Sequence, residues 1–115
     1  VKGGSKIYAG AMAALDSSGR VVPMSTATTL KGLGRCDRLA DNTSGGDGDI
    51  KARVRAGIFQ FANSADADQI TAADIGADCY GVDDQTVAKT SGTNTRSVAG
   101  KVFDVDAQGV WVKFS

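Results

Sequence analysis

The sequence predicts a mainly β fold, a small β-barrel or compact β-sandwich of short strands with one short helical turn near residues 71–76. Three observations carry that prediction. All 13 acidic residues are Asp and none is Glu, and Asp favours turns and caps where Glu favours helices. Asp16-Ser17-Ser18-Gly19 and Asp106-Ala107-Gln108-Gly109 are turns of one form, Asp-x-x-Gly, each between two apolar runs. In such a turn the Asp side chain accepts backbone N–H groups and the Gly takes positive φ cheaply. The remaining apolar runs are short and punctuated by polar, Gly-rich segments, as in closed or sandwiched β architectures.

In chain order, Ile7 to Leu15 and Val21 to Met24 form a first hairpin around Asp16–Arg20. Leu30 to Leu39 and Ile50 to Ala62 read as longer strands joined by the polar loop Ala40–Asp49, expected to be exposed and mobile. In the second of these, Lys51, Arg53 and Arg55 alternate with Ala52, Val54 and Ala56, which places three cations on one face. After Gly57 the parity shifts to Phe59 and Phe61. A bulge at Gly57 would kink the strand and bring both rings onto the Val54 side, restoring one continuous core face.

Ile70-Thr71-Ala72-Ala73-Asp74-Ile75-Gly76 carries the helical signal. Thr71 caps, Asp74 reaches back, Ile70 staples to Ile75, and Gly76 ends the turn. Cys79 to Val82 and Thr86 to Lys89 form a short strand pair around Asp83-Asp84-Gln85, Thr90 to Thr95 form a loop, and Lys101 to Val105 with Val110 to Phe114 make the last hairpin. The total is six to nine strands. At 115 residues the chain reads as a single β domain over residues 1–115. Its opening on Val rather than Met predicts a lost N-terminal piece, with residues 1–6 the remnant of an extended arm. Aromatic residues make up only 6%, so the core should be thin and burial against a partner valuable.

Composition removes many activities. With no His, the chain builds no Ser/His/Asp triad, no Cys/His dyad and no His-ligated metal site. Thirteen cations balance thirteen acids, which argues against electrostatic capture of nucleic acid by the protein as a whole. Gly32-Leu33-Gly34 starts a dinucleotide fingerprint that fails at its third glycine, and the phosphate-binding Gly-Lys-Ser/Thr loop is missing. Asp41 to Asp49 fits neither calcium-loop pattern. Asp83-Asp84 and Asp104-x-Asp106 flank turns, where Asp serves the backbone. Cys36 and Cys79 read as reduced, buried small apolar residues of a protein assembled in a reducing cytoplasm. No membrane-spanning run is present in the sequence. The expectation is a non-enzymatic protein with no metal, cofactor or small-molecule substrate, and no nucleic-acid or membrane partner.

What remains are contact residues. Val1, Lys2 and Lys6 of the arm, Lys51, Arg53 and Arg55 of the cationic stripe, and Trp111, out of phase with Val110, Val112 and Phe114, are the candidates. Val21-Val22-Pro23, Arg53 to Phe59, Ala62-Asn63-Ser64, Val82 to Ala88, Val98 to Val102 and Val105 to Val112, in that order, resemble small proteins encoded among the head genes of tailed bacteriophages and prophages. The resemblance spans nearly the whole chain and contains no catalytic motif. It implies a capsid decoration or cement protein, similar in role to the head decoration protein of phage lambda. Such a protein would bind the major capsid protein on the virion surface as a homotrimer at threefold positions and stabilise the expanded shell. The alternative expectation is a phage tail, fibre or host-surface binding module on the same scaffold.

Overall fold

A computed structural model describes residues 1–114, and among them the fold is mainly β, with eleven short strands and two 3-10 turns. The strands are more numerous than the six to nine expected because the longer runs are interrupted. Gly10, at φ 86°, divides the first run into β1 (Lys6–Ile7) and β2 (Met12–Leu15). The run from Leu30 gives β4 (Lys31–Cys36), and after Asp37-Arg38-Leu39 the chain pairs again as β5 (Ala40–Asp41). With β3 (Val21–Pro23) and β6 (Val54–Arg55), these strands build a four-stranded sheet in the order β3-β2-β4-β6, plus a small β1-β5 pair.

The second half of the chain closes on itself. β7 (Gly57–Asn63), β8 (Asp78–Gly81), β9 (Thr86–Ala88), β10 (Val98–Asp106) and β11 (Gly109–Phe114) form a closed barrel in the order β10-β11-β7-β9-β8. All its contacts are antiparallel except β7 with β9. Both Asp-x-x-Gly turns form as predicted. Asp16 Oδ1 accepts the N–H groups of Ser18 and Arg20, each at 2.9 Å. Asp106 Oδ1 accepts those of Gln108 and Gly109 at 2.8 and 3.1 Å.

Three layers result, with β2 at the centre. Met12 and Ala14 point with Met24 into the barrel core of Phe61, Ile70, Cys79, Val87, Val102, Val110, Val112 and Phe114. Ala11 and Ala13 point the other way, into a smaller core with Val1, Ile7, Cys36 and Ala40. Gly81 leaves the barrel wall open for Met24, since a Cβ there would collide with the thioether. Each fully buried Val, Met or Ile contributes roughly 1.5–3 kcal/mol, so the barrel holds most of the apolar stabilisation. The two cysteines are free and lie in separate cores. Burial pushes the Cys79 thiol up to about 11.

Several expectations are corrected. Gly57, at φ 142°, does kink the chain, but as a corner between sheets rather than a bulge within one strand. Val54 pairs with Cys36 and packs on the small core, whereas Phe59 and Phe61 belong to the barrel. The helical turn is a 3-10 turn over Ala72–Asp74, in which Asp74 Oδ2 accepts the Thr71 N–H at 2.8 Å. Its staple does not form, because Ile70 is buried in the barrel at 1% exposure while Ile75 stands 48% exposed. A second such turn, Asp66–Asp68, has no precedent in the sequence reading.

The first residues are laced by hydrogen bonds onto the body of the protein. The Val1 nitrogen donates to Ile50 O at 2.7 Å, Lys2 N to Val21 O at 3.0 Å, Gly3 N to Asp47 Oδ1 at 2.8 Å and Gly4 N to Asn42 O at 2.8 Å. The loop expected to be mobile is the other half of this lacing. Asn42, 1% exposed, donates from Nδ2 to Val1 O at 3.0 Å and Gly46 O at 2.9 Å. Most of the loop's other side chains are exposed, as expected.

Candidate functional site

The cationic stripe becomes a site only when its neighbouring strand is included. β4 and β6 are antiparallel, with Arg35 directly opposite Arg55 and Cys36 opposite Val54. One step on, the Asp37 N–H donates to Arg53 O at 2.8 Å. Residues paired in this way share a face. Val54 and Cys36 therefore turn to the small core, and Arg35, Asp37, Arg53 and Arg55 turn to the opposite side, beyond the edge of the barrel.

The charge on that face does not cancel. Asp37 Oδ2 lies 2.8 Å from Arg55 Nε and 3.9 Å from Arg53 Nε, and both arginine side chains are 64% exposed. Ion pairs in that much water contribute at most about 1 kcal/mol, and like charges directly across a strand pair oppose folding by a similar amount. Arg35 finds no carboxylate among the described residues. Its guanidinium lies 5.8 Å from the centroid of the Phe59 ring instead, a cation–π contact that anchors the group without neutralising it. Three planar guanidiniums against one carboxylate, Arg35 and Arg55 on paired strands and Arg53 just ahead of β6, form a fork-bearing surface suited to carboxylates of a partner.

This surplus extends over the whole N-terminal half. Residues 1–56 carry nine Lys and Arg against five Asp, and residues 57–115 carry four against eight. The overall neutrality of the chain thus conceals a basic sheet lobe joined to an acidic barrel, with Gly57 as the boundary.

The other candidates disperse. The strand expected from Ile50 begins only at Val54, so Lys51 and Arg53 are exposed ahead of β6 rather than on a strand face. Val1, 8% exposed, is inside the small core and offers no contact surface. Lys2 is exposed, but its backbone is tied to β3. Lys6 holds its ammonium 5.5 Å from the centroid of the Tyr8 ring. Trp111 sits half-buried on the outer face of the barrel, between Gln60 and Asp104. Its Nε1 donates to Asp106 Oδ2 at 3.0 Å. That bond, reinforced by the N–H of Gln108, holds the Asp106 carboxyl below the usual carboxylate range.

Arg35 and Asp37 escaped the sequence reading although a signal existed. Antiparallel strands joined by a loop centred near residue 45 pair residue 35 with 55 and residue 37 with 53, which puts the four charges together. Asp83 and Asp104 each accept a neighbouring backbone N–H at 2.8 Å. Burial, followed by the adjacent Asp83, pushes the Asp84 carboxyl up. Among the described residues no three acidic or cysteine side chains converge as a metal-binding group, and no helix is long and apolar enough to cross a membrane. Comparison with protein-family models, with curated proteins and with solved structures finds no match to this chain.

Proposed function

We propose that this protein is a structural virion component that binds the outer surface of a tailed-phage capsid as a homotrimer and stabilises the expanded shell. The observation that carries the reading is the arginine face at β4 and β6, where Arg35, Arg53 and Arg55 exceed the one carboxylate of Asp37 and are left in water. Such a surface has little means of chemistry but a clear means of docking on acidic protein. The ordered resemblance of the chain to phage head proteins supplies the partner, the major capsid protein. A trimer presents the face three times, so contacts that are weak singly gain strength through effective concentration. Because the complementary lattice exists only after expansion, binding stabilises that state by mass action. Assembly takes place in the bacterial cytoplasm, and the virion surface is the final location.

Co-sedimentation with expanded shells and with unexpanded procapsids, alongside the mass of the free protein in solution, tests this. The expected result is saturable binding to expanded shells alone by a species of three copies. Arg53→Glu with Arg55→Glu should weaken that binding at least tenfold and flatten its dependence on salt. Absence of binding to either shell would transfer the reading to a tail, fibre or host-surface module.

A further inference from the structure

The arginine face is not the only place where like charges oppose each other across a strand pair. Lys101 of β10 stands directly opposite Lys113 of β11 on the outer barrel wall. Asp78 neutralises Lys101, with Nζ to Oδ1 at 2.8 Å, and this bond holds the lysine pKa up. Lys113 has no such partner within 4 Å among the described residues, and neither has Lys31 at the start of β4.

These three lysines rim a cleft of about 530 Å³ where the sheet meets the barrel. Its floor is backbone. A Cβ at Gly32 would collide with the Ala99 carbonyl, so β4 lies directly on β10, and one at Gly100 would meet Lys113 O of β11 at 2.5 Å. Leu30 and Val98 supply apolar walls, and Val98 is 41% exposed, whereas Phe114 reaches the cleft only at its edge because its ring is buried in the barrel core.

We propose that this cleft binds an acidic, apolar segment of a partner polypeptide, with a carboxylate between Lys31 and Lys113 and a neighbouring apolar side chain against Leu30 and Val98. Charge complementarity decides the sign of the occupant, since two of the three rim ammoniums have no carboxylate of their own. The shape decides its kind. The cleft is open to solvent, so it does not enclose a small ligand to the roughly 70–90% typical of metabolite sites, whereas a chain segment can lie along it. The inference goes beyond the virion reading and does not depend on it.

The test uses the whole protein and a fluorescein-labelled hexapeptide of alternating valine and aspartate, followed by fluorescence anisotropy. The expected result is saturable binding that weakens at least tenfold for the valine–asparagine counterpart and at least tenfold for Lys31→Glu with Lys113→Glu. Arg53→Glu with Arg55→Glu should leave it unchanged. Both lysine side chains are exposed, so the melting temperature should hold; if it falls, Lys31→Gln and Lys113→Gln carry the same comparison. Equal binding of the two peptides, insensitivity to the lysine changes, or displacement by lower concentrations of sodium decanoate or oligothymidylate would overturn the proposal. So would a concentration-dependent dimer that disappears with the lysine changes. Shell binding is read separately, so loss of either result leaves the other standing.

Discussion

The barrel and the N-terminal layer close their cores in different ways. Inside the barrel, bulk does the holding: Phe61 meets Phe114 edge to face with ring centroids 5.9 Å apart, and Val87, Val102, Val110 and Val112 fill the remaining space. The layer over the other face of the sheet has Val1, Ile7 and four small residues in its core. It is closed instead by backbone lacing between residues 1–5 and 42–50, with Asn42 at the crossing. Side-chain packing makes one region cooperative, and hydrogen bonds around a thin core make the other able to open locally.

The largest expected effect sharpens this contrast. Phe61→Ala should remove about 3–5 kcal/mol of stability, seen as a lowered urea midpoint with probes in both regions moving together. Asn42→Ala should cost about 1–2 kcal/mol for two lost hydrogen bonds and act locally. Hydrogen exchange should accelerate at the amides of Gly4 and Gly48, which bond to Asn42 O and Val1 O, while Val110 and Val112 keep their protection. Equal acceleration in the barrel would break the comparison.

The smallest effect lies at the barrel rim. The Asp106 carboxyl is held below its ordinary 3.8, chiefly by the Trp111 indole. A carboxyl depressed in the folded state stabilises at pH above the ordinary value, and the contribution is lost as pH falls through the folded value. The fluorescence of the single Trp should therefore report a rim transition in wild type below about pH 4, and Asp106→Asn should remove that transition without changing unfolding at neutral pH by much.

Features set by neighbours along the chain were readable in advance. Asp16 and Asp106 announce their turns, Gly57 its kink, and Lys51, Arg53 and Arg55 their shared exposure. What escaped depends on which distant element each residue meets. Val54 and Phe59 are five residues apart and equally apolar, so nothing local assigns them to different cores. Ile70 and Ile75 satisfy a staple pattern, but the barrel interior gains more from Ile70 than a one-turn helix does. Asn42 looks like loop filler until Val1 and Gly46 bring carbonyls to its amide. Half of the arginine face was visible, and the other half required the register between β4 and β6.

The sheet's dependence on the barrel also has a consequence in time. Chain passes from one region to the other only at Gly57, so during synthesis residues 1–56 emerge first with Met12, Ala14 and Met24 uncovered. Their cover includes Val110, Val112 and Phe114, and at ribosomal speeds the intervening residues take about 3–12 s. For that interval the nascent sheet exposes a thioether-rich apolar surface, which makes these seconds the period when the protein is most open to chaperone capture or misassociation, and most tolerant of being slowed only if something shields Met12 and Met24.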